Sequence, residues 1–120
     1  MHGNAGSKQE GLSYVPVLCS MGIDLFSFDF SGCGRSEGKW VTLGWKEKDD
    51  LHAVLEYLHS AGRTSKVILW GRSMGAATSL LYAKEPPVPI AGMVLDSCFA
   101  EFRGVALNLV MQMGMPADFF

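Results

Sequence analysis

Histidine is scarce in this sequence of 120 residues: there are three, His2, His52 and His59, and none follows residue 59. Cysteine is as scarce. Cys19, Cys33 and Cys98 cannot all pair within one chain, form no CxxC, and have no histidine at metal-ligand spacing. That pattern speaks against a disulfide scaffold or a zinc site and for free thiols in a reducing compartment. No apolar run approaches the roughly 20 residues that a membrane span needs. The longest, around Ile90 to Leu95, reads as a buried strand. Ten Lys and Arg are scattered among twelve Asp and Glu, for a net charge of −2, so no basic patch points to nucleic acid. The opening Met1-His2-Gly3 has neither the charged region nor the apolar stretch of a secretory leader, and a cytoplasmic location is expected. With no repeat, low-complexity stretch or break in composition, residues 1–120 read as one domain.

What is present is enough to build a core: 48% of residues are apolar and 18% charged. A small, polar opening from Met1 to Ser7 reads as a loop, and Ser7 to Met21 as a helix disturbed by Pro16. Ile23 to Phe30 is aromatic and alternating, which predicts a strand. Three glycines make Ser31 to Gly38 a loop. From Trp45 to Ala61, Leu51, Val54, Leu55 and Leu58 share one helical face, acidic residues fill the first turn, and Gly62 is placed to end the helix. Lys66 to Trp70 predicts a strand covered on both faces. A helix rich in small residues follows Ser73 and ends before Pro86. Ala91 to Leu95 predicts another strand and Glu101 to Met113 another helix. Strands alternating with helices argue for a parallel sheet flanked on both faces, with chemistry beyond the strand carboxyl ends, at Asp29, Gly71 and Asp96.

Gly71-Arg72-Ser73-Met74-Gly75 joins a predicted strand to a predicted helix. A serine hydroxyl is a poor nucleophile without a base beside it, and a sharp strand-to-helix turn exposes it for attack. Gly71 and Gly75 are the elbow residues, since a Cβ at either would strike the neighbouring strand or helix. Acyl transfer also needs N–H groups aimed at the developing oxyanion. Met74, just after the nucleophile, and Asn4, in the loop ahead of it, are the candidate donors.

These features resemble the α/β-hydrolase superfamily, and most of all its serine aminopeptidase-like branch, with depalmitoylating α/β-hydrolases as relatives. The resemblance rests on His2-Gly3-Asn4, Phe28 to Gly38, Glu47 to Leu51, Gly71 to Gly75 and Val94 to Ser97. It implies a three-layer fold in which the strands here are the fourth, fifth and sixth. The third strand would lie between the fourth and fifth and would precede Met1, so a partial domain with core strands missing is expected. It also implies a serine hydrolase that cleaves an ester, thioester or amide through an acyl-enzyme on Ser73, without metal or organic cofactor. The substrate would be a small molecule, a lipid-acyl group or a peptide.

The family's triad runs serine, acid, histidine along the chain, and no histidine follows Ser73. His2 lies in the oxyanion loop, where the family histidine is structural. His52 and His59 lie on a predicted surface helix. Asp96 ends a strand and is either the acid or an organiser of its own loop, while Asp29 and Arg35 are expected to pair across the glycine loop. Cys33 and Cys98 read as core or loop thiols. The chain as given is therefore expected to be inactive alone. The rival reading is a non-catalytic binding protein that keeps the scaffold.

Overall fold

A computed structural model describes residues 1–101 and residue 104. After the opening loop come a 3-10 helix, Lys8–Tyr14, and α1, Val15–Ser20. Then follow α2, Glu47–Ser60; β1, Ile68–Arg72; α3, Met74–Ala83; and β2, Gly92–Asp96. The helix expected over Ser7 to Met21 is thus split, with the α-helical part starting where Pro16 can occupy its first turn without losing a hydrogen bond. The helix expected over Glu101 to Met113 lies almost wholly outside the described residues.

β1 and β2 pair in parallel, Ile68 opposite Gly92 through Arg72 opposite Asp96. Two parallel strands joined through α3 make an α/β unit, with α3 packed on both strands and α2 packed on α3. The alternation of β1 explains which edge does what. Val67 O and Ser73 N face β2, where they bond Ala91 N and Asp96 O. Trp70 O and Arg72 N point the other way, and Met1 takes both: its nitrogen donates to Trp70 O and its carbonyl accepts from Arg72 N at 3.1 Å.

α2 buries Leu51 and Leu55 against Leu69 of β1 and Tyr82 of α3, the apolar stripe that the spacing predicts. Its end is set by Gly62, whose φ of 64° lets the chain turn back so that Arg63 N reaches Leu58 O. A second cluster joins Phe30, Cys33 and Met74, and Phe28 packs against both clusters.

The strand expected at Ile23 to Phe30 is not formed. No ladder bonds run along it among the described residues, and a strand exists only through a main-chain partner. The side chains still behave as the alternation predicts: the rings of Phe26, Phe28 and Phe30 follow one another on one side at 6.5 and 5.1 Å. Side chains hold the segment instead. His2 Nε2 accepts from Phe30 N, and the Ser27 hydroxyl donates to Lys8 O. The expected Asp29–Arg35 pair also takes another form. Asp29 accepts the main-chain N–H groups of Lys8 and Arg35, and its ion pair is with Lys8 at 3.6 Å. Those two N–H bonds, with Lys8 adding, hold the Asp29 carboxyl below its ordinary range.

Glu47 organises the loop ahead of α2. Only 2% exposed, it accepts from Thr42 N, Thr42 Oγ1 and Gly44 N at 2.7 to 2.8 Å. Burial pushes its carboxyl upward, but these bonds together outweigh burial and hold it below the ordinary 4.5. A carboxyl lowered by folding stabilises the fold above its unfolded value and loses that contribution as pH falls through the folded value. Glu47→Gln places an amide NH2 against a buried donor and is expected to cost about 2 kcal/mol. Urea titrations should show the wild-type advantage at pH 7 and its shrinkage below about pH 4.5.

Candidate active site

Ser73 stands where β1 ends and α3 begins, with φ 51° and ψ −110°. A non-glycine residue in that region carries about 1–3 kcal/mol of strain and persists only where its surroundings fix it. Here both sides of the residue are fixed. Its N–H donates to Asp96 O at 2.8 Å, and its carbonyl accepts from Ala77 N at 3.0 Å. The hydroxyl is left over, half-buried and without a hydrogen bond among the described residues.

The turn is tight because two glycines make room for it. A Cβ on Gly71 would lie 2.2 Å from the carbonyl of Gly75, and one on Gly75 would lie 2.6 Å from Met1 O. The first contact is strand against helix and the second is helix against the opening loop. Both glycine positions are therefore dictated by backbone proximity, as the motif implies.

The opening loop lies beside this turn. Gly6 N bonds Gly3 O at 3.1 Å, closing a turn that contains Asn4 and Ala5, and Ala5 takes φ 57° with its N–H on Asn4 Oδ1. The N–H groups of Asn4 and Met74 bond to nothing among the described residues. Met74 N belongs to the first turn of α3, where main-chain donors have no intrahelical partner. An oxyanion hole requires main-chain donors left free in this way.

His2 is almost wholly buried, with both ring nitrogens in use. Nε2 accepts from Phe30 N at 3.1 Å, which leaves Nδ1 as the protonated nitrogen donating to Gly3 O at 2.8 Å. Its ring meets Phe30 edge-on at 5.0 Å. His2 thus ties the opening loop to the Phe30 segment and is not free to receive a proton from Ser73. His52 and His59 both lie on α2. His59 is exposed, as expected. His52 is half-buried rather than solvated, its Nε2 3.5 Å from Glu56 and its ring 6.3 Å from that of Tyr82. Neither hydrogen-bonds to Ser73.

Asp96 lies beside Ser73 through its own carbonyl, while its carboxylate accepts from the Ser97 hydroxyl at 2.7 Å. Ser97 has φ 53°, so this short bond orders a bend at the strand end. Cys33 is buried, and burial, followed by the nearby carboxylates of Glu47, Asp29 and Asp50, pushes its thiol upward. That is a core thiol and not a reactive one. Cys98 and Cys19 are exposed.

Two site neighbours had no signal in the sequence. Arg72 occupies the variable position before the serine, and Glu10 sits on the 3-10 helix, 62 residues away. They meet in a two-toothed pair, Nε to Oε2 at 2.9 Å and Nη2 to Oε1 at 2.8 Å. No spacing rule links such distant residues.

Among the described residues, no helix is long and apolar enough to cross a membrane. The family described as serine aminopeptidase, S33, matches residues 1–115. Among curated relatives, the chain is 35% identical to the uncharacterized protein YqkD of Bacillus subtilis, over 99% of this chain and 42% of that one. It is 33% identical to lysophosphatidylserine lipase ABHD12 of Xenopus tropicalis, over 86% of this chain and 28% of that one. It is 28% identical to the uncharacterized protein YfhR of Escherichia coli, over 98% of this chain and 42% of that one. The chain therefore spans less than half the length of these relatives. No solved structure matches.

Proposed function

Because the chain belongs to the serine aminopeptidase family of α/β-hydrolases, we propose that Ser73 is the nucleophile of a hydrolase that cleaves an acyl bond. The observation that carries this is the backbone of Ser73, φ 51° and ψ −110°, pinned between β1 and α3 by glycines that admit no Cβ. Strain of that kind is retained where it serves a purpose, and presenting a hydroxyl at a sheet edge is such a purpose.

In the proposed reaction, Ser73 Oγ attacks the substrate carbonyl carbon and its proton passes to a base. The base comes from outside the described residues, since His2 is engaged and the other two histidines lie on α2. Oxygen charge develops on the carbonyl and is received by the N–H groups of Asn4 and Met74. The leaving group departs with a proton, and water then releases the acyl group from Ser73. Asp96 has the weaker claim: its carboxylate is occupied with Ser97, which supports the loop-ordering role. Residues 1–120 form, on this reading, the part of the domain from the oxyanion loop to the strand and helix that follow the elbow. Met1 bonds the free edge of β1, which on this reading is the edge where the third strand implied by the resemblance would run.

For the bond cleaved, an ester is favoured. One similar protein carries the name lysophosphatidylserine lipase, and a lipase cleaves carboxylic esters. The test is a panel of matched acyl esters, thioesters and anilides offered to the natural full-length protein. Ester turnover above the anilide is expected. A folded protein that turns over none of the three would favour a binding role on the same scaffold.

A further inference from the structure

We propose that Glu10 and Arg72 act as positioning residues, an ionic clamp that holds the oxyanion loop at its working distance from Ser73. The inference rests on the hydrolase reading above and adds to it a pair of side chains outside the elbow and the loop.

The clamp has three contacts. Arg72 immediately precedes Ser73 and is the last residue of β1, so its main chain shares the rigidity of the sheet. Its guanidinium lies against Gly3, where an added Cβ would be 3.0 Å from Nη2 and 3.2 Å from Cζ. The same guanidinium holds Glu10 by two parallel bonds, the geometry that fixes orientation as well as distance. Glu10 in turn sits under the Gly3–Gly6 turn: a Cβ on Gly6 would be 2.0 Å from its Oε1. The turn that carries Asn4 is thus enclosed between the guanidinium and the carboxylate. Arg72, followed by burial acting the other way, dominates the protonation of Glu10 and lowers it, with the Gly3 N–H contributing in the same direction.

Both side chains are partly exposed, 46% for Arg72 and 31% for Glu10. An ion pair so exposed adds little to stability. Its two-toothed geometry and its contact with the loop fit positioning better. Loss of the clamp lets Asn4 N–H drift, and displacement of an oxyanion donor lowers the rate of the chemical step more than the binding of substrate.

The experiment uses the natural full-length protein, a p-nitrophenyl acyl ester, and melting curves on every variant. Glu10→Gln is expected to lower kcat about tenfold with KM within about twofold and melting within a few degrees. Gly6→Ala tests the same clamp without touching either charge: its methyl group displaces the Glu10 carboxylate, and the same loss in kcat is expected. The double variant Glu10→Gln/Arg72→Gln should be no slower than the slower single variant, because either change alone already opens the pair. Glu10→Gln and Gly6→Ala variants with wild-type kcat would overturn the clamp, as would losses that multiply in the double variant. A wild-type protein that neither turns over the ester nor reacts with a fluorophosphonate overturns the hydrolase reading, and the clamp with it. Wild-type turnover with unaffected variants overturns the clamp alone.

Discussion

Replacing Ser73 with alanine is expected to lower kcat for ester hydrolysis by about 10⁴-fold or more, leaving KM within a few fold and melting nearly unchanged. The two halves of that expectation come from different features. The loss in rate follows from removing the atom that forms the acyl-enzyme; the donors of Asn4 and Met74 would then support only residual catalysis. The unchanged melting follows from the structure around the side chain. Ser73 Oγ makes no hydrogen bond among the described residues, and the bonds that pin the residue are main-chain bonds to Asp96 and Ala77. Alanine keeps both bonds and the same backbone strain. Steady-state kinetics on the natural full-length protein, with a thermal melt of each form, measures both. For the 120-residue polypeptide expressed alone, labelling by a fluorophosphonate should be no faster than for its own Ser73→Ala form, because no histidine in it is free to act on Ser73.

A methyl group on Gly71 should be among the most damaging small changes available in this chain. It would lie 2.2 Å from the carbonyl carbon and oxygen of Gly75 and 2.5 Å from Ala76 N. All three are backbone atoms of α3 and cannot rotate away, so β1 and α3 must separate. That separation disturbs the contact between Leu69 and the helices and loosens the turn at Ser73. Overpacking of this sort costs about 3 kcal/mol. Gly75→Ala should cost somewhat less, since the opposing atom, Met1 O at 2.6 Å, belongs to a loop. Gly92→Ala is the internal control, with nothing within 4 Å of the added methyl and an expected change under about 0.5 kcal/mol. Urea unfolding of the three variants should rank them in that order. A Gly71→Ala protein as stable as Gly92→Ala would mean that β1 and α3 are not as close as described.

Much of the fold was legible because its signals are local. The apolar stripe of α2, its acidic first turn and the glycine at its end all lie within one stretch of chain, and the helix formed over Glu47–Ser60 within the expected Trp45–Ala61. The continuous apolar run before Gly71 read as a doubly covered strand, and β1 formed there, displaced by two residues. Only the face of Leu69 and Gly71 is buried, however, and Ile68 is 61% exposed. β2, expected to be buried, exposes Met93, Val94 and Leu95. Ile23 to Phe30 shows the limit. Alternation specifies which face each side chain takes, and the three phenyl rings do share one side, but alternation does not supply a partner strand. The elbow was legible for a further reason: the demand for glycine at both positions is a demand of backbone distance, and it appears directly in the letters. The clamp was not. Glu10 and Arg72 are brought together only by the packing of the 3-10 helix near the end of β1, and neither residue type marks the other from afar. Asp29 is an intermediate case. Its role in holding the glycine loop was readable, but its partners are main-chain N–H groups, which every residue but proline carries.

The most direct test of Ser73 as nucleophile is mass-spectrometric mapping of a fluorophosphonate adduct on the natural full-length protein. The account predicts one stoichiometric adduct on the peptide that contains Gly71 to Gly75, located on Ser73 and absent from Ser73→Ala. An adduct on another residue of the folded protein, with Ser73 unmodified, would contradict it.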